Sequence, residues 1–174
     1  IMEKVQDQII NKVAGSSLIT FDLEQYFLPG DRVLFDIKDH LFQGLILREK
    51  DFRDFIKGHD WKQYMDKFVA IHCSADAIVP TWAYMLLAIA LQPYARRVVF
   101  GSVEELEVVI FQESLSRVNW SEFKDAKVVI KGCSKINVPV AVYVEVTTRL
   151  KPYVSSIMFG EPCSTVPLFK KAKV

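Results

Sequence analysis

The feature that most limits the fold of this chain is a change of hydrophobic pattern at Phe68. From there on, the apolar residues come in short unbroken runs: Phe68–His72, Arg97–Phe100, Lys127–Lys131 and Ser156–Phe159. A strand that is apolar on consecutive residues is buried on both faces, which is the condition of a parallel sheet covered by helices. Helical stretches separate the runs, at Pro80–Leu91, Val103–Val118 and Pro139–Lys151. Pro80 and Pro139 suit the first helical position, where the missing N–H costs nothing. Glu104 and Glu105 sit in a first turn, where the helix dipole favours acids. The order β-α-β-α-β-α-β predicts an α/β fold built on one right-handed parallel sheet, with helices on its faces.

Upstream, residues 3–13 carry Val5, Ile9, Ile10 and Val13 at helical spacing, with Gly15 placed to end the helix. Leu18–Leu23 and Arg32–Ile37 read as strands separated by the turn dipeptide Pro29-Gly30. Gly44–Leu47 reads as a third strand in a hairpin, so this part is expected to extend the sheet with antiparallel strands. Arg48–Ile56 is an amphipathic helix with Phe52, Phe55 and Ile56 on one face. Gly58-His59-Asp60 breaks it, and Trp61–Lys67 forms a second helical segment. The whole of 1–174 is expected to be a single α/β domain, with 1–67 preceding a βαβ core over 68–167. The tail from Pro167 reads as a frayed basic end.

Charge excludes some partners. With 22 basic and 21 acidic residues the formal net charge is +1, so no bulk field draws nucleic acid or an anionic membrane. The opening IMEKVQDQII lacks the apolar run of a secretory signal. The longest apolar stretch, Ala77–Leu91, contains Pro80 and falls short of the roughly 20 residues a bilayer needs. A cytoplasmic location is expected. Three cysteines is an odd number, which speaks against a disulfide framework.

Those cysteines carry the chemical argument. Cys73, Cys133 and Cys163 each follow an apolar run, precede a serine and lead into a Val-Pro pair. In a parallel sheet the loops leaving the carboxyl ends of the strands share one edge, where ligands bind. One sheet would therefore bring the three thiols together. Three thiolates suit zinc or an iron–sulfur cluster, with a fourth position left to Asp76, Glu161, water or substrate. His72 is adjacent to Cys73, so strand alternation turns it to the opposite face. A metal-free alternative makes Cys73 a nucleophile beside His72, or two cysteines a redox pair. A third alternative buries the cysteines as small hydrophobes in a non-catalytic adaptor.

Weaker candidates are the cluster Asp36, Asp39 and His40, first read as a solvated turn, and His59-Asp60, first read as a cap. Arg96-Arg97 could meet an anion, while Trp82, Tyr84 and Met85 read as core. There is no Walker loop, GxGxxG, HExxH or GxSxG.

The stretches LITFDLEQYF, FDIKDHLFQGLILREKDFRDF, HCSADAIVPTWAYMLLA, VVIKGCS and SIMFGEPCSTVP resemble an uncharacterised bacterial family, domain-of-unknown-function family 2480, nearly end to end. The resemblance implies no established activity. Members are often encoded near the sulfur-mobilisation machinery, which implies a link to iron–sulfur or metal handling and iron–sulfur assembly proteins as partners. The resulting expectation is a cytoplasmic protein that binds zinc or an iron–sulfur centre through Cys73, Cys133 and Cys163, with enzymatic activity left open.

Overall fold

The computed structural model describes residues 18–132, 135–161 and 163–172. The helix expected over 3–13 lies outside the described residues. Among the described residues there are seven strands: β1 (Leu18–Asp22), β2 (Arg32–Asp36), β3 (Phe68–His72), β4 (Arg97–Phe100), β5 (Lys127–Lys131), β6 (Ser156–Glu161) and β7 (Ser164–Lys170). Four α-helices accompany them: α1 (Glu49–Gly58), α2 (Thr81–Leu91), α3 (Val103–Leu115) and α4 (Val140–Leu150).

The strands form two sheets, ordered β2-β3-β4 and β1-β5-β6-β7. This corrects the expected single βαβαβαβ sheet. The continuous runs were read rightly as parallel strands, but a run records burial and says nothing of which strand lies beside it. The series is cut between β4 and β5, because β5 takes β1 as its parallel neighbour and β3 takes β2. The antiparallel extension is corrected for the same reason. β1 and β2 flank a Pro-Gly turn yet sit in different sheets, each parallel to a strand far along the chain. Gly44–Leu47 contributes only the isolated bridges Phe42–Ile46 and Ile46–Ile78. The supposed frayed tail is β7, paired antiparallel to β6.

Two compact units follow, Leu28–Phe111 and the flanking Ile1–Phe27 with Gln112–Val174. They are copies of one design. Trp61–Gly101 aligns without a gap on Trp120–Gly160, matching Asp66 with Asp125, Pro80 with Pro139, Tyr84 with Tyr143 and Phe100 with Phe159. The backbone repeats as well. Asp66 and Asp125 take φ of 58° and 57°, and each N–H donates to the carbonyl of an aligned tyrosine, Tyr94 or Tyr153. Before these stretches, each unit has a strand ending in Phe-Asp, whose aspartate caps a 3-10 turn: Asp22 over Leu23–Tyr26 and Asp36 over Ile37–His40. In chain order the first strand of one copy precedes the whole of the other.

Burial explains why these segments fold as they do. Phe68, Val69, Ala70 and Ile71 of β3 are all buried, as the unbroken run requires. On one face, Ala83, Leu87 and Leu91 of α2 cluster with Ile71, Phe35 and Phe52. On the other, Leu106 and Ile110 of α3 cluster with Phe68 and Ala70. Arg32 at the start of β2 makes a two-pronged ion pair to Glu107 of α3, at 2.8 and 2.9 Å. That fork fixes α3 over the β2 side of its sheet.

Candidate functional site

Among the described residues, a polar cluster lies at the carboxyl end of the β2-β3-β4 sheet. Asp36 ends β2 in register with His72 at the end of β3. Its carboxylate accepts the Ser74 N–H at 3.0 Å, the Ser74 hydroxyl at 2.6 Å and the Lys38 N–H at 3.1 Å. Burial alone would push Asp36 up, but the Ser74 and Lys38 hydrogen bonds and nearby His72 outweigh it and hold the carboxyl well below the carboxylate range. His72 Nε2 is buried without a hydrogen bond and lies 3.6 Å from Asp36 Oδ2, an ion pair when the ring is protonated. From the next loop, the Ser102 N–H donates to the Glu105 carboxylate at 2.6 Å, and the Glu105 N–H donates to the Ser102 hydroxyl at 3.2 Å. The Ser102 hydrogen bonds, and His72 beside them, draw Glu105 down. His72 therefore stands among carboxylates from two loops.

Cys73 belongs to the other face. Its thiol donates to the Ala75 carbonyl at 3.6 Å, and its side chain packs against the α2 cluster. Tyr84 of α2 is nearby; burial raises its hydroxyl pKa, and Cys73 and Asp36 add to the rise. Beyond Tyr84 opens a cavity of about 410 Å³, lined by Ile71, Tyr84, Met85, Ala88, Val98 and Phe100 among others.

The second copy uses the same plan with other residues. Lys131, aligned with His72, lies 3.8 Å from Asp22 and 3.7 Å from Glu161. Gly132 stands where Cys73 would be, and a Cβ there would run into the Tyr143 hydroxyl at 2.7 Å. Each copy thus sets a nitrogen base near acids at this position, the His72 ring in one and the Lys131 amine in the other.

The three cysteines are distributed as follows. Cys73 follows β3, and Cys163 is exposed in the turn between β6 and β7; both are free. Cys133 lies outside the described residues. In the aligned copies Cys133 matches Ser74, one place out of step with Cys73. The single edge that was to collect the thiols does not exist, because Cys73 and Cys163 belong to different sheets. Among the described residues no group of three or more His, Cys, Asp or Glu is able to hold a metal ion.

Of the weaker candidates, Asp60 is a cap, accepting the Lys62 N–H at 3.1 Å. His40 is stacked on Phe55 with ring centres 3.8 Å apart, and Asp36 is committed to Ser74 and Lys38. Met85 is exposed, not core. The Ser102–Glu105 pair was missed, although Ser-x-x-Glu before an apolar run is a legible capping box.

The described residues thus define a protein of two α/β copies, with a polar cluster and an apolar cavity at the carboxyl edge of one of them. The chain belongs to the family described as Protein of unknown function (DUF2480), whose profile matches residues 7–171. No curated protein and no solved structure matches it. Among the described residues, no helix is long and apolar enough to cross a membrane.

Proposed function

We propose that the chain works through its thiols, as a cytoplasmic accessory protein of iron–sulfur biogenesis that takes up a soft metal or an iron–sulfur unit on Cys73, Cys133 and Cys163. The observation that supports this reading is the condition of the two described cysteines. Both are free, Cys163 is exposed and Cys73 is only half-buried. A structural cysteine serves as a small hydrophobe inside the core; Cys163 does not, and Cys73 packs against the α2 cluster while staying partly accessible. Accessible thiolates are soft ligands, suited to zinc or to iron–sulfur clusters. Asp36 and His72 stand beside the Cys73 loop and would tune its surroundings. On this reading the partners are assembly proteins that donate or accept the metal or sulfur.

Anaerobic purification with metal analysis and a visible spectrum tests the proposal. The expected result is bound zinc or iron, or a charge-transfer absorption, lost in the triple Cys→Ser variant. Metal-free protein with a single fast-alkylating thiol would instead support metal-free thiol chemistry. Metal-free protein whose triple variant supports the same growth as the wild type would remove the thiols from the function.

A further inference from the structure

The two copies differ at one place that bears on assembly. In the copy built on β1-β5-β6, the outer edge of β6 is covered by β7, with Phe159 opposite Val166 and Gly160 opposite Thr165. The aligned strand in the other copy is β4, and among the described residues it has a neighbour on the β3 side only. The Gly101 N–H donates to the Ile71 carbonyl. The two-residue alternation of a ladder then turns the Val98 and Phe100 backbone groups to the open side. The side chains beside this edge are uncovered too. Phe100 is 65% exposed, Met85 60% and Ile89 68%. Tyr84 meets Phe100 edge-on with centroids 5.0 Å apart, forming one wall of the open cavity.

We propose that a second copy of the chain fills this place, its β4 pairing antiparallel with the first across a two-fold axis at Val99. The alternative copy shows that this edge position accepts an antiparallel strand, and a two-fold axis perpendicular to a sheet generates that orientation. The register is set by the alternation. Val98 of one protomer lies opposite Phe100 of its partner, and each pair exchanges both backbone hydrogen bonds. The two cavities become one continuous apolar channel under Tyr84 and Phe100. The same register sets Arg97 opposite Gly101 of the partner, next to Glu104 and Glu105 in the first turn of the partner's α3. Unlike charges therefore meet at both ends of the joint. An exposed edge flanked by apolar side chains is a place that proteins cover.

Sedimentation velocity and light scattering over a range of concentrations test this directly. The wild type is expected to be a dimer. Val98→Pro removes an outward N–H without touching the β3 ladder, and should give a monomer with an unchanged circular dichroism spectrum. Met85→Glu, at an exposed helix position, should weaken the dimer at least tenfold and keeps the test valid if the proline variant misfolds. Leu168→Glu, on exposed β7, should leave the dimer intact. A monomeric wild type overturns the proposal. So does a dimer that survives Met85→Glu, or one that Leu168→Glu dissolves.

Discussion

At the scale of single residues, His40 and Asp36 set how stability depends on pH. Burial lowers the pKa of His40, more than neighbouring Asp39 raises it. The unfolded chain therefore binds a proton more readily than the folded one, and stability falls as pH drops below about 6.5, the ordinary value for histidine. Asp36 is held below its ordinary value by the Ser74 and Lys38 hydrogen bonds, burial notwithstanding. Its contribution is complete above about pH 4 and is lost as the pH falls further. Urea titrations across pH should show two separable losses. His40→Phe should flatten the upper one and Asp36→Asn the lower. Gly101 supplies a second test. Its φ of 132° disfavours any side chain, and an added Cβ would meet the Glu105 carboxylate. Gly101→Ala should cost about 1–3 kcal/mol. Gly58, with open space around it and φ outside the left-handed region, should accept alanine at no cost or with a small gain. Thermal melts of the two variants distinguish a glycine required by the site from one that merely ends a helix.

At the scale of elements, the sequence disclosed what each segment is better than what it lies beside. The limits of β3 and β5 were legible because burial on both faces leaves an unbroken apolar run, whereas β4 shows such a run although its ends are exposed and its middle only half-buried. Helices α2 and α4 were legible because Pro80 and Pro139 announce their starts, although each proline is the N-cap and not, as expected, the first helical residue. Pairing was not legible. The partners of β3 and β5 lie far upstream, and nothing in RVLFD or LITFD names the strand it will join. β7 escaped notice because Pro167 and three lysines resemble a loose tail, yet Pro167 sits at a register irregularity near the sheet edge, where a missing N–H is tolerated. The repeat makes its own prediction. Phe52 and Phe111 occupy aligned positions before Trp61 and Trp120, and both are buried to within 1%. Phe52→Ala and Phe111→Ala should each cost about 3–5 kcal/mol in urea unfolding. Similar costs at the two sites would agree with two copies of one structural role, and a loss under 1 kcal/mol at either would contradict it.

At the scale of the whole molecule, the cysteine argument depended on topology. Three Cys-Ser pairs before Val-Pro looked like one motif used three times, and one sheet would have gathered them. The aligned copies divide that motif differently: Cys73 matches Gly132, while Cys133 matches Ser74. This division is legible in the sequence, because Trp61 to Gly101 and Trp120 to Gly160 align without a gap. What persists in both copies is a nitrogen base near acids, His72 in one and Lys131 in the other. The proposed role rests on the thiols. The most direct measurement is native mass spectrometry of anaerobically purified protein, for the wild type and for Cys73→Ser, Cys133→Ser and Cys163→Ser singly. The account predicts an added metal or iron–sulfur mass in the wild type that each substitution diminishes. A wild type at its bare polypeptide mass, matched by all three variants, would contradict it.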